Sequence, residues 1–333
     1  MKANETKLNR TTGFTIVELL TVMGVIAILM GLLVPALTLV KDYSKEVQQK
    51  AQFHSIEVGL GMYKTEFGSY PPSRDNMSAY NPPPVDPLLG ADSAYGGANK
   101  LAEVMVGLDM LGFHPASGFR ADNRNVRDEA LPGDPPDLRD FLVYHAGVDD
   151  PQYPAFGESA KENVDARKGP YIDLENANAY KMEDVYNDLT LSTEAFYTDE
   201  GLDSLVLCDV YAEKRAHSSK KTGVPILYYK ARVQYTYQDY DENSDLEEID
   251  IENDIYYYPD NQNLLELGMP TDQTIQHLVG DGIDDWLDFE NMIRNTQVTT
   301  VKRPYCADSY ILICAGKDGM YGTADDIFNF DKK

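Results

Sequence analysis

The chain predicts an α+β fold in which one long helix comes first and the strands come late. Three observations carry this. Residues 19–40 form a run of 22 without a single charge. An apolar stripe at helical spacing follows that run directly. Short β-branched and aromatic stretches appear only in the second half, the last of them leading into an acidic, glycine-rich loop.

The apolar run sets the first element. As a helix rising about 1.5 Å per residue, its 22 residues reach about 33 Å, the thickness of a hydrocarbon core of about 30 Å. A removable secretory signal has a shorter apolar core and a small-residue cleavage site after it. Lys2, Lys7 and Arg10 precede the run and Lys41, Lys45 and Lys50 follow it, so basic flanks leave its orientation balanced. The helix then continues. Ile56, Leu60, Tyr63 and Phe67 recur at steps of four, three and four, one face of an α-helix. Gly68 suits a C-terminal cap, and Pro71-Pro72 forbids continuation. Gly59 and Gly61 weaken the helix interior unless close packing needs them. They begin a Gly-x-Gly-x-x-Gly pattern, but Lys64 replaces its last glycine and the setting is mid-helix, which excludes a nucleotide loop.

Beyond Pro71 the chain is loop-like to about Gly97. NKLAEVMVGLDMLGF places Leu101, Val104, Met105, Leu108 and Leu111 on one helical face. Residues 113–170 read as loops with a short helix near Leu138 to Tyr144. SLVLCDVY, VPILYYKARVQYTY and DSYILICAG read as strands. DQTIQHLVGDGIDDWLDFENMIRN is expected to be mostly helical around a break at Gly280 and Gly282.

Composition excludes several functions. Lys plus Arg number 29 against 55 Asp plus Glu, a formal net charge of −26. That balance opposes nucleic acid and anionic lipid surfaces. Cys208, Cys306 and Cys314 are too few for a disulfide scaffold. Cys306 and Cys314 either bridge across a hairpin or remain small half-buried side chains. The five histidines (His54, His114, His145, His217, His277) show no ligand spacing. Ser218-x-x-Lys221 lies in a basic polar loop without the partner motif that a serine acyl-transfer site needs. The reading is therefore non-enzymatic.

Glu18 poses the sharpest question, since an acid at the mouth of a membrane helix costs free energy unless it is paired. A cut after Gly13 would make Phe14 the N-terminus and place an ammonium four residues before Glu18. Gly13-Phe14-Thr15-Ile16-Val17-Glu18, after a short polar leader and before an apolar helix, resembles the prepilin cleavage and methylation motif of type IV pilins and type II secretion pseudopilins. The resemblance implies cleavage between Gly13 and Phe14, N-methylation of Phe14, and pairing of Glu18 with a neighbouring subunit's N-terminus. Pro35 matches the helix-kinking proline common in these proteins. The segment from Ala51 through Tyr63 to Tyr70-Pro71 is similar to the helix end of the major pseudopilin.

The implied organisation is a leader at 1–13, a membrane and assembly half-helix at 14–40, an amphipathic periplasmic half at 41–67, and a head at 68–333. The head would pack the helix on an antiparallel sheet and carry a large mixed insertion at about 76–300. The implied setting is the inner membrane of a diderm bacterium, single-pass, leader cytoplasmic and head periplasmic. Implied partners are other copies of the chain in a fibre, other pseudopilins, the prepilin peptidase, and an inner-membrane assembly platform with its cytoplasmic ATPase. The implied work is mechanical, with growth of the fibre driving protein export. A surface type IV pilin and a membrane-tethered enzyme are the competing readings. The chain exceeds the usual major pseudopilin in size. Large insertions typify the tip subunit, which usually lacks the acid that Glu18 supplies.

The closing AGKDGMYGTADDIFNF sets Asp318, Asp325 and Asp326 in a loop bent by Gly316, Gly319 and Gly322. Ca²⁺ takes six to eight oxygens from carboxylates and carbonyls at such turns. The stretch resembles the C-terminal calcium loop of the major pseudopilin, which marks Asp318, Asp325 and Asp326 as the acids. Residues 239–250 match an EF-hand at loop positions 1, 3 and 5 but carry Ser244 and Asp250 where glycine and glutamate belong, and so read as an exposed charge run. In residues 280–285, Asp281 reads as a helix cap.

Overall fold

The computed structural model describes residues 15–74, 95–119, 143–144, 160–189, 198–199, 202–238, 254–279 and 285–332. The chain divides into two compact units, Met1–Val47 and Gln48–Lys333. Helix α1 (Ile16–Phe67) starts in the first and ends in the second. Among the described residues it is the one helix long and apolar enough to cross a membrane. From Ile16 to Val40 no large apolar side chain is less than 47% exposed. Such a surface needs an apolar solvent.

In the second unit, α2 (Gly97–Val106), α3 (Ala160–Asp165) and α4 (Leu174–Ala177) precede β1 (Ala179–Lys181) and α5 (Met182–Val185). Two minimal hairpins follow, β2 (Thr198–Asp199) with β3 (Leu202–Asp203), and β5 (Glu213–Lys214) with β6 (Lys221–Thr222). Between them β4 (Leu205–Leu207) pairs antiparallel with β1. Next come β7 (Leu227–Lys230), α6 (Gln262–Leu265), α7 (Asp285–Ile293), β8 (Tyr310–Cys314) and β9 (Ile327–Phe328). The main sheet is antiparallel in the order β7-β8-β9, with Tyr228 opposite Leu312 and Ile313 opposite Phe328. The Ile226 amide donates to the Leu207 carbonyl at 2.7 Å, joining the β4 segment to the approach of β7.

Successive residues of β8 serve two cores. Tyr310, Leu312 and Cys314 pack with Phe53, Ile56, Leu60 and Tyr63 of α1. Ile311 and Ile313 pack with Met182, Tyr256, Leu265 and Phe289. Side chains alternate across a strand, so a sheet covered on both faces reads as an unbroken apolar run. All five residues of β8 are buried. The sheet thus lies between the second half of α1 and the segments that carry Met182, Tyr256, Leu265 and Phe289, as the α+β reading expects of the helix.

The helical stripe was legible with two revisions. Phe67 is 36% exposed, although it stacks on Tyr63 at 4.5 Å. Gln49 and Gln52 are buried instead, because their amides meet backbone groups: Gln52 Nε2 donates to the Cys208 carbonyl at 2.9 Å, and Gln49 Oε1 accepts from the Val210 amide at 3.0 Å. Gly59 has its packing reason. A Cβ there would sit 2.7 Å from Met105 Sδ and 3.2 Å from the Tyr171 carbonyl oxygen. Gly61 faces open space, and nothing in the structure explains it. Gly68 caps α1 at φ 81°, its amide donating to the Lys64 carbonyl at 2.8 Å.

Every residue of α2 is buried, including Asn99, Lys100 and Glu103. Glu103 accepts hydrogen bonds from Tyr95 at 2.7 Å, Tyr144 at 2.8 Å and Ser117, which offsets the cost of burying its carboxylate. The helix stops before Leu111, which is 49% exposed, because Gly107 turns the backbone to φ 78°.

Three further expectations need correction. The strand at β7 ends at Lys230; Gln238 then pins the following segment by bonding both the amide and the carbonyl of Tyr256 at 2.9 and 2.8 Å. Residues 272–279 are turns and bends rather than helix, and among the described residues of that stretch only α7 is helical. There Asp272 Oδ1 accepts from the Thr274 amide and hydroxyl at 3.1 and 2.6 Å, bonds that compete with a helical ladder. All three cysteines are free, so of the two readings left open for Cys306 and Cys314 the unbridged one holds. Val143 and Tyr144 are buried and not helical, while the rest of the short helix expected near Leu138 lies outside the described residues.

Candidate functional site

Two places bring the singled-out residues together, the head of α1 and the loop between β8 and β9. At the first, Gly13 and Phe14 lie outside the described residues. Glu18 occupies the first turn of α1. Its Oε2 accepts from the Thr15 amide at 2.9 Å and the Thr15 hydroxyl at 2.9 Å, and the Glu18 amide donates back to Thr15 Oγ1 at 3.2 Å. This is a capping box, Thr-x-x-Glu, which satisfies donors that a helix start leaves open. The spacing is visible in the sequence, yet the reading of Glu18 as an acid in search of an amine missed it. Oε1 takes no part in the box. One carboxylate thus has a local use for one oxygen and a second oxygen beyond it.

Helix α1 runs through Pro35 without interruption. Proline offers no amide to the ladder there. One turn on, Thr38 Oγ1 donates to the Val34 carbonyl at 3.2 Å.

At the second place, β8 delivers the chain into a loop whose three glycines all take positive φ: Gly316 at 68°, Gly319 at 74° and Gly322 at 94°. Gly316 is also sterically required, since a Cβ there would collide with the Asp325 carbonyl oxygen. The aspartates fold inward onto amides. Asp325 Oδ2 accepts from Lys317 and Asp318 at 2.7 and 3.1 Å, and its Oδ1 accepts from Thr323 Oγ1 at 2.6 Å. Asp318 Oδ1 accepts from the Met320 amide at 2.8 Å, and Asp326 Oδ2 from the Gly322 amide at 2.8 Å. Asp326 Oδ1 is buried without a partner.

Burial drives the electrostatics of this loop. It pushes the Asp326 carboxyl up to about 7, against the Gly322 hydrogen bond that favours the ionised form. It also raises Asp318, with Asp325 adding like-charge repulsion. For Asp325 burial acts in the same sense, but the Thr323, Asp318 and Lys317 hydrogen bonds outweigh it and hold that carboxyl below the usual range. Beneath the loop, Asp209 is buried and pushed up to about 7 by burial, with Cys314 Sγ 3.5 Å from its Oδ2. Sequence reasoning missed Asp209, because nothing in SLVLCDVY separates it from an exposed strand-end acid.

The loop fits a hard cation in donor chemistry. An orphaned oxygen on Asp326, and the two carboxyls of Asp318 and Asp326 raised by burial, are groups a divalent ion would relieve. Among the described residues, no three His, Cys, Asp or Glu side chains converge as a ready-made metal cluster, so carbonyl oxygens would have to complete any set. Residues 239–250 and 280–284 lie outside the described residues.

No family model matches the chain, and no solved structure matches it. The chain is similar to the type II secretion system core protein G of Pectobacterium carotovorum subsp. carotovorum, at 26% identity over 130 residues, which span 39% of this chain and 83% of that protein. A distant relationship to a type II secretion core protein, joined to an apolar N-terminal helix of membrane-crossing length, is what this chain displays.

Proposed function

We propose that this protein is a structural subunit of a type II secretion pseudopilus, held in the inner membrane by the first half of α1 and assembled with other subunits into a short periplasmic fibre that drives protein export. The observation that supports it most is the similarity to a secretion core protein in a chain whose leading helix is apolar for 22 residues and then packs on a sheet. Such a helix has two solvents by construction, and a fibre of stacked helices replaces lipid with neighbours as its apolar environment. Prepilin peptidase would cut between Gly13 and Phe14 and methylate Phe14. Glu18 would then turn its remaining oxygen to a neighbour's amine and set the register between subunits. The assembly platform and its ATPase would supply the work, and the chain itself would perform no catalysis.

Calcium belongs to the same proposal. Asp318, Asp325 and Asp326, completed by carbonyls, would hold one Ca²⁺ that neutralises all three and relieves Asp318 and Asp326, which burial raises. When bound, the ion supplies charge neutralisation and cross-linking of the two arms of the loop.

Deleting the chain's gene and following secreted protein tests the function. Loss of secretion with no fibre on the cell surface is the expected result. A surface fibre lost with secretion intact would move the reading to a type IV pilin. Turnover of a substrate by the purified protein would move it to a tethered enzyme.

A further inference from the structure

The acidic loop is not free-standing, and what grips it comes from the insertion. Tyr321, fully buried, sits midway along the loop. Its amide donates to His277 Nδ1 at 3.3 Å, and its carbonyl accepts from the Leu278 amide at 3.1 Å. The imidazole packs against the Tyr321 ring at 4.7 Å between centroids, and the Tyr321 hydroxyl reaches the Pro225 carbonyl on the sheet side. The other ring nitrogen, Nε2, lies 3.1 Å from the Gly268 carbonyl and closes the turn from which His277 projects. Burial depresses the imidazole to about 4, so it is neutral. Nδ1 accepts, and Nε2 carries the hydrogen toward Gly268.

The position of Tyr321 matters more than its burial. The residue before it, Met320, donates its amide to Asp318, and the residue after it, Gly322, donates its amide to Asp326. Fixing Tyr321 therefore fixes the amides on which two of the three acids rest. The packing is close at that point too, since a Cβ on Gly322 would meet Val279 Cγ2 at 2.8 Å.

We infer that His277 is the positioning residue of the acidic loop: through Tyr321 it holds Asp318 and Asp326 in place before any ion arrives, so a residue of the insertion sets the loop's affinity for a divalent cation. The cation part rests on the calcium reading above. A ligand site whose shape is fixed in advance loses less on binding, and loosening it shows as weaker affinity.

The test uses the full chain in detergent and Ca²⁺ as the probe. His277→Phe keeps a ring and removes both polar contacts; His277→Asn restores an acceptor near the place of Nδ1. Calcium affinity is expected to weaken at least about tenfold in His277→Phe and to recover in part in His277→Asn. An unchanged dissociation constant in His277→Phe, whatever happens to its melting temperature in chelator, overturns the inference. If His277→Phe does not fold, or if wild-type protein binds no calcium, amide exchange in wild-type protein with chelator decides. The Tyr321 amide should exchange about a hundredfold more slowly than that of exposed Ala324. Comparable rates overturn the positioning role. Absence of calcium binding with a protected Tyr321 instead sinks the calcium reading and leaves His277 as the residue that shapes the loop.

Discussion

The two halves of α1 obey opposite rules in one continuous helix. From Ile16 to Val40 every large apolar side chain is exposed, whereas beyond Gln48 two glutamines are buried and Val58 and Met62 stay half exposed. Hydrophobicity alone therefore does not decide what the protein's own core takes up. The second half is held by partners of matching shape and polarity, such as Met105 against Gly59 and the Cys208 carbonyl against Gln52. The first half displays apolar surface, one capped acid and two threonines whose hydroxyls bond back to the helix backbone. It is built for an apolar surrounding that the isolated chain does not supply.

Substitutions at the head of the helix should break this comparison most strongly. Glu18→Gln keeps a residue that can close the capping box but removes the charge. If Glu18 only caps, fibres should form normally. If it also pairs with a buried amine, assembly should fail, since an orphaned partner costs about 3–5 kcal/mol and every subunit repeats it. The second outcome is expected, with Thr15→Ala much milder at about 1 kcal/mol of cap stability. Electron microscopy of sheared fibres separates them.

A pair of truncations compares the halves directly. Ile56→Ala should destabilise the head by about 2–5 kcal/mol, because the side chain is fully buried and leaves a cavity. Ile28→Ala, whose side chain is 67% exposed, should change head unfolding by less than about 0.5 kcal/mol. Urea unfolding of the detergent-solubilised chain reads both, and equal effects would show that the two halves are not independent surfaces.

The acidic loop gives a smaller, conditional effect. Calcium at one hundred times its dissociation constant should add about 2.7 kcal/mol to the stability of the head. Asp318→Ala should abolish the gain, and Asp241→Ala should leave it whole. Magnesium should substitute poorly, because it needs stricter octahedral geometry. With Asp209 acting in the same sense, the pH sign is set by Asp326. Its folded-state carboxyl is raised to about 7 from about 3.9 unfolded, so the folded state binds the extra proton, and stability without calcium falls as pH rises from about 4 to 7. Asp326→Asn in chelator should shrink that fall, leaving the share that Asp209 contributes, while losing the calcium response. A head whose chelator-state stability rises over the same window would contradict the strain assigned to Asp326.

Much of this was legible in sequence because the signals are periodic or local. The stripe of Ile56, Leu60 and Tyr63, the cap at Gly68 and the run of β8 each follow from backbone geometry. The buried glutamines were not legible, since their carbonyl and amide partners lie 156 and 161 residues away. His277 escaped for the same reason, as its partner Tyr321 is 44 residues on and lone histidines carry no pattern. The helix expected over residues 272–279 failed where side-chain bonds from Asp272 outcompeted the backbone ladder. At the site, the glycines forced the bend as expected, but nothing in the spacing showed that the three aspartates would spend oxygens on loop amides.

The central claim is that α1 is the assembly helix of a fibre subunit, and its covalent start tests that most directly. The intact mass and N-terminal fragment masses of protein extracted from membranes of cells with active prepilin peptidase should show a chain beginning at methylated Phe14, and Gly13→Leu should block that cut. Protein that still carries Met1 to Gly13 in those cells would contradict the account, leaving Glu18 as a helix cap and α1 as an ordinary anchor.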